Sequence, residues 1–189
     1  VWGCCFNSLV HLKKNYPKLY SSLRPFQKVG IMAGLKKDAR ILIGDEMGLG
    51  KTLQALSIIT YFQKEWPVLV VCPSSIRFQW YYQALDWLAP HINESNITLI
   101  RSCSDTYTPQ TRMVIVSYDI ITRTDRLRSF YGSNFQVIIA DESHFLKNST
   151  AKRTRIVVPL LHRARHAILL SGTPALNNPT ELYKQPKHT

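Results

Sequence analysis

Ile41-Leu-Ile-Gly-Asp-Glu-Met-Gly-Leu-Gly-Lys-Thr52 runs from an apolar, strand-sized segment through a glycine-rich turn into a stretch with helical spacing. Phosphate binding needs that order. Gly48 and Gly50 allow the backbone to curl so that successive N–H groups face one anion, and a helix starting near Lys51 adds the positive end of its dipole. Lys51 is then placed for the β- and γ-phosphates of ATP, and the Thr52 hydroxyl for Mg2+. The strict P-loop pattern asks for glycine six positions before the lysine, where this chain has Asp45. Taken alone, these residues also fit a glycine-rich turn capping an ordinary helix. The choice rests on what else the chain carries.

Val137-Ile-Ile-Ala-Asp-Glu-Ser-His144 is a second apolar strand, and it delivers two carboxylates at its C-terminal end. In an open α/β sheet that end is where ligands sit. Asp141 is expected to hold Mg2+, directly or through water, and Glu142 to position or deprotonate an attacking water. Without a P-loop, acidic residues at a strand end read as an N-cap or a solvated turn. Behind one, they read as catalytic.

The same alternation covers most of the chain. Apolar runs at 39–43, 68–72, 97–100, 113–116, 137–140 and 167–170 read as buried strands, and helical-period segments at 51–64, 75–88, 119–128 and 150–163 separate several of them. Near-continuous apolar strands joined by helices predict an α/β fold with a parallel β-sheet, helices on both faces and right-handed crossovers. The first 22 residues break this rhythm with the polar-basic His11-Leu-Lys-Lys-Asn-Tyr16 and with Pro17, which ends any helix near it. They read as an N-terminal extension or the remnant of an upstream domain (1–22). Residues 23–183 read as the folded domain, and 184–189 as a polar tail.

The 189 residues carry 24 Lys plus Arg against 12 Asp plus Glu, a formal charge of +12, with 45% apolar and 11% aromatic residues. That is one core's worth of chain, too apolar for a disordered or collagen-like polymer. No apolar run approaches the roughly 18 residues of a membrane-spanning helix, so no membrane role is expected. The positive surplus suits an acidic partner, with nucleic acid ahead of anionic membrane or acidic protein, while solubility alone is the plain alternative. Four cysteines without a C-x-x-C pair fit a reducing compartment. The first residue is Val1, and the opening residues lack a secretory signal, so the numbering is expected to start inside a longer protein.

Asp45-Glu-Met-Gly-Leu-Gly-Lys-Thr52, Asp141-Glu-Ser-His144 and Leu170-Ser-Gly-Thr-Pro-Ala175, in this order, resemble the Swi/Snf branch of the superfamily-two helicase-like ATPases. In that family the first glycine of the loop is typically Asp, so Asp45 supports the resemblance. The resemblance implies a RecA-like P-loop NTPase lobe that uses ATP and Mg2+ and acts on double-stranded or fork-structured DNA without reading its sequence. It implies that Gln27, in Leu23-Arg-Pro-Phe-Gln27, contacts the adenine edge, and that His144, Ser171, Gly172 and Thr173 couple nucleotide state to DNA grip. It also places Pro73, Ser74 and Ser75, and Ser117 and Tyr118, in strand-end loops that touch a DNA backbone; for the serines, a helix N-cap is an equally good reading. Ser143, Phe145 and Ala175 resemble the annealing-helicase subgroup, and point away from nucleosome remodellers. That subgroup rewinds or remodels branched DNA at stalled replication forks in the nucleus. A working motor of this family has two such lobes, and the second, which supplies arginines to the ATP site, is not present in these residues.

Lys147, Lys152, Arg153, Arg155, Arg163 and Arg165 follow the acidic motif. They read equally as a phosphate-tracking patch and as a solvated helix face. Phe78, Trp80, Tyr81, Tyr82 and Trp87 read as core by their helical spacing rather than as base-stacking residues, with Phe78, Tyr81 or Tyr82, and Leu85 on one stripe. Three functions remain open: the nucleotide-binding lobe of a DNA-dependent ATPase, a fragment that binds nucleotide or DNA without turnover, and a nucleosome-remodelling motor.

Overall fold

The computed structural model describes residues 3–123 and 135–172. Its centre is a six-stranded, wholly parallel sheet in the order β1-β6-β5-β2-β4-β3. The strands are β1 (Arg40–Ile43), β2 (Val68–Cys72), β3 (Ile97–Leu99), β4 (Met113–Ser117), β5 (Val137–Ala140) and β6 (His166–Leu170). Each falls on an apolar run named above. Strands β2, β4, β5 and β6 are buried along their whole length, as expected of a sheet covered on both faces.

Residue parity splits the core in two. Val68, Val70 and Cys72 of β2 face one apolar cluster, built with α3 (Pro25–Lys36), α4 (Lys51–Ile59) and α5 (Arg77–Leu88). Leu69 and Val71 face the other, built with α6 (Tyr118–Ile121) and α7 (Lys152–Arg163). From β1 through β2 to β3 the chain steps one way across the sheet, then returns through β4 and β5 to β6. Right-handed crossovers put the helices of the outward path on one face and those of the return path on the other.

Several expectations are corrected. Residues from 3 to 22 form two helices, α1 (Gly3–Asn15) and α2 (Pro17–Ser22). Leu12, Tyr16 and Leu19 are buried in the same cluster as β2 and α4, so this stretch packs into the core instead of hanging from it. Pro17 starts α2, at the one helical position where a missing N–H costs nothing. The buried stripe of α5 is Trp80, Ala84 and Leu88, the i, i+4 row, whereas Phe78 and Tyr82 are exposed. The helix expected from Ser75 begins instead with a 3-10 turn, Ser74–Ile76, and neither serine caps it through its side chain. The helix expected over 119–128 is described only as α6, and the tail at 184–189 lies outside the described residues.

Candidate functional site

All six strands are parallel, so their C-terminal ends share one edge of the sheet. Strand β6 lies between β1 and β5, with Ile43 beside Leu170 and Ala140 beside Leu169. The glycine-rich loop after β1, the Ser171-Gly172 end of β6 and the acidic pair after β5 are therefore neighbours.

Gly48 and Gly50 have φ of +81° and +78°, the left-handed region that the loop reading asked of them. Nothing stands within 4 Å of where a Cβ on Gly48 would project. Lys51 opens α4 and donates its Nζ to the carbonyls of Asp45 at 2.9 Å and Glu46 at 3.1 Å. Gly172 closes over it: a Cβ at that residue would sit 2.8 Å from Met47 Cγ and 3.6 Å from Lys51 Nζ. The cleft beside the loop holds about 480 Å³ and is lined by Gly48, Gly50, Lys51, Thr52, Asp141 and Glu142 on one side and by Ile76, Gln79, Gln83 and Trp87 on the other.

Asp141 is 7% exposed. Burial pushes its carboxyl above the ordinary value, and a Trp80 hydrogen bond opposes that, helped by the Glu142 backbone N–H and the Lys51 charge. Glu142 is half-buried with φ of +48°. His144 Nδ1 lies 3.1 Å from Glu142 Oε2, within ion-pair range but not aligned as a hydrogen bond. Open space over Gly48, a lysine that forms no ion pair among the described residues, and a buried carboxylate short of compensating charge fit a magnesium–nucleotide. Thr52 and Asp141 are the oxygen donors suited to the cation.

The other expected site residues divide. Ser171 is buried beside the loop, and Thr173 lies outside the described residues. Gln27 is 4% exposed, its Nε2 donating to the Leu49 carbonyl at 2.8 Å while its Oε1 accepts from the Arg24 N–H at 2.8 Å. It ties the start of α3 to the phosphate loop. Asp45 turns its carboxylate onto Gln54 of α4. Pro73, Ser74 and Ser75 form a corner at the end of β2 with both serines exposed, and Lys147 is exposed after β5. Ser117 follows its N-cap reading and Tyr118 is corrected: at 1% and 3% exposure their side chains face inward. Ser117 caps α6 through the Ile120 N–H, and Tyr118 donates to the Asp141 carbonyl, so neither hydroxyl is available to a DNA backbone. The basic run splits too. Lys147, Lys152 and Arg153 lie at the site edge, whereas Arg163 at the far end of α7, and Arg165 just before β6, lie about 16 Å away toward the opposite end of the sheet.

Trp80 and Gln54 were not singled out for these contacts. Helical spacing marks Trp80 as inward-facing, but no spacing rule marks Gln54 or states which carboxylate a buried N–H will meet across the fold.

Fold and site together define a P-loop nucleotide-binding lobe of the RecA-like, helicase-like kind. The chain belongs to the SNF2-related domain family, whose model matches residues 9–185. It is 42% identical over 172 residues to the Mus musculus protein named DNA annealing helicase and endonuclease ZRANB3, covering 89% of this chain and 16% of that one. It is 44% identical over 168 residues to the Xenopus laevis SWI/SNF-related matrix-associated actin-dependent regulator of chromatin subfamily A-like protein 1, covering 89% and 17%. The chain thus spans about a sixth of these curated relatives. Among solved structures, the Sulfolobus solfataricus SWI2/SNF2 ATPase core in complex with dsDNA superimposes with a TM-score of 0.68 at 26% identity, over 81% of this chain and 32% of that one. Among the described residues, no helix is long and apolar enough to cross a membrane.

Proposed function

We propose that this chain is the ATP-binding first lobe of a DNA-dependent ATPase of the annealing-helicase kind, one that rewinds or remodels branched DNA at stalled forks in the nucleus. The observation that carries the reading is the convergence of the Gly48–Gly50 loop, Lys51, the buried Asp141 and the half-buried Glu142 on one cleft. The backbone N–H groups of the cradle hold phosphate oxygens, and Lys51 leaves the Asp45 and Glu46 carbonyls to meet the β- and γ-phosphates. Thr52 and Asp141 hold Mg2+, which when bound neutralises charge developing on the transferred phosphoryl group. Glu142 positions or deprotonates the attacking water, and His144 beside it relays the state of the site. Gln27 shapes the adenine side. The exposed Ser74, Ser75 and Lys147, with Pro73 fixing the corner, meet the sugar–phosphate backbone without reading bases. Residues 23–183 form the lobe, and the helices at 3–22 complete its core.

Support for DNA as partner comes from the relatives and from the dsDNA-bound structural neighbour. Lys51→Ala is expected to abolish Mg-ATP binding with the fold intact by circular dichroism. DNA-stimulated ATP hydrolysis that survived this change in the full-length protein would refute the role of Lys51. Stimulation by forked DNA above that by nucleosomes separates fork remodelling from nucleosome remodelling.

A second reading concerns these residues by themselves. The described residues lining the cleft include no arginine, and an arginine finger is worth about three to five orders of magnitude in rate in related NTPases. By itself this lobe binds nucleotide and turns it over slowly. Turnover at the rate of a two-lobed relative would exclude that reading.

A further inference from the structure

Two aromatic side chains hold the acidic strand end, and the roles assigned above use neither. Trp80, near the start of α5, donates its indole N–H to Asp141 Oδ2 at 2.8 Å. The Glu142 N–H takes Oδ1 at 2.7 Å, so each carboxylate oxygen has its own donor and the carboxylate plane is set from both ends. Tyr118, opening α6, donates its hydroxyl to the Asp141 carbonyl at 2.8 Å. Both rings are nearly inaccessible, at 1% and 3% exposure, so water does not compete for these bonds.

The rings come from informative places in the chain. Trp80 stands just past the exposed Ser74-Ser75 corner, and Tyr118 stands next to the exposed Asp119. Phe145 lies on the Tyr118 ring with centroids 5.7 Å apart and planes 10° from parallel. The Arg153 guanidinium sits 5.0 Å over Phe145 and donates through Nε to the Phe145 carbonyl at 2.8 Å. This column ends in a hollow of about 220 Å³ lined by Asp119, Thr122, Lys152 and Arg153. A line of ring and hydrogen-bond contacts therefore joins a surface hollow to the backbone of Asp141, and the chain running from the β2 corner into α5 joins that corner, through Trp80, to its carboxylate.

We propose that Trp80 and Tyr118 are positioning residues for Asp141, which aim its carboxylate at Mg2+ and pass to it the state of the two strand-end corners. The inference rests on the nucleotide-site reading above. A hydrogen bond weakens steeply with stretching and misalignment, so a small displacement of either corner by a bound phosphate backbone reaches the carboxylate. Magnesium–nucleotide and DNA then bind with linked affinities, each changing the other's by the same factor.

The test uses the 15N-labelled chain. The Trp80 indole N–H resonance, assigned through Trp80→Phe, is followed while Mg-ADP and then a short DNA duplex are added. We expect it to move with each ligand, and the ADP dissociation constant to change at least about fivefold when DNA is present. Tyr118→Phe and Arg153→Ala bring that ratio toward one. Trp80→Phe weakens ADP binding about tenfold more in Mg2+ than in EDTA. A Trp80 that only filled the core would weaken both alike. A chain that binds ADP and DNA independently, an indole resonance that ignores DNA, or a Tyr118→Phe ratio equal to that of the unchanged chain overturns this inference alone. A chain that binds no Mg-ADP overturns the site reading and this inference with it.

Discussion

Gln54 holds the Asp45 carboxylate through its side-chain amide at 2.6 Å. This contact explains how an acidic residue is accommodated where a phosphate loop usually has glycine. The carboxylate is turned onto α4 and bonded to an amide that is 1% exposed, and Lys51 takes the Asp45 carbonyl instead. Asp45→Ala leaves the buried Gln54 amide without that acceptor and is expected to cost about 1–3 kcal/mol. Asp45→Asn, which keeps an acceptor oxygen, costs less. Urea unfolding of the two variants measures the difference; equal losses would mean that the amide finds another partner.

Gly50 has a second constraint besides its φ of +78°. A Cβ there would lie 2.4 Å from Gln27 Nε2, the atom that donates to the Leu49 carbonyl. Gly50→Ala therefore strains the backbone by about 1–2 kcal/mol and pushes Gln27 off the loop. The expected result is a lower urea midpoint together with loss of fluorescent-ATP binding. Retained binding would show that the Gln27–Leu49 contact does not shape the cradle.

Tyr16 and Tyr61 give the fold an alkaline limit. Burial raises both phenols from 10.0 to about 12. The folded state thus binds these protons more tightly than the unfolded chain, so this stabilisation is complete below pH 10 and is lost as pH rises toward 12. Unfolding midpoints should fall across that window, following phenolate absorbance, and Tyr16→Phe should flatten the fall. A midpoint constant from pH 9 to 12 would contradict the assignment.

Cys72 ends β2 against the site, and burial raises its thiol to about 12, with the Asp141 charge adding to the effect. Cys103 is partly exposed in a turn. Iodoacetamide should label Cys103 in the native chain and Cys72 only after unfolding, as read by peptide mass spectrometry. Labelling of both at equal rates would mean that the β2 end opens readily.

Much of this architecture is legible in the amino-acid order because it depends on short-range pattern. Val68–Cys72 and Val137–Ala140 announce themselves as buried strands, and the spacing of Gly48, Gly50 and Lys51 announces the loop between β1 and α4. Tertiary partners are different in kind. Leu12 and Leu19 are buried where α1 packs on α3 and α2 on α5, and a polar-basic run with a proline gives no hint of that packing. Ser117 and Tyr118 lie in a loop position that suits DNA contact, yet the fold turns both inward, because a hydroxyl at a buried strand end must find a protein partner, an N–H for Ser117 and a carbonyl for Tyr118. Trp80 was read as core from its spacing, and it is core; its bond to Asp141 is invisible to any periodicity.

Strand β6 enters the sheet last among the described strands, yet it fills the gap between β1 and β5 and is the only strand paired with β1. The sheet joins the strand before Lys51 to the strand before Asp141 only through residues 166–170. On a ribosome, the lobe stays without a working nucleotide pocket until nearly all of its described length has emerged, and a messenger cut short before His166 encodes no weakened version of the pocket.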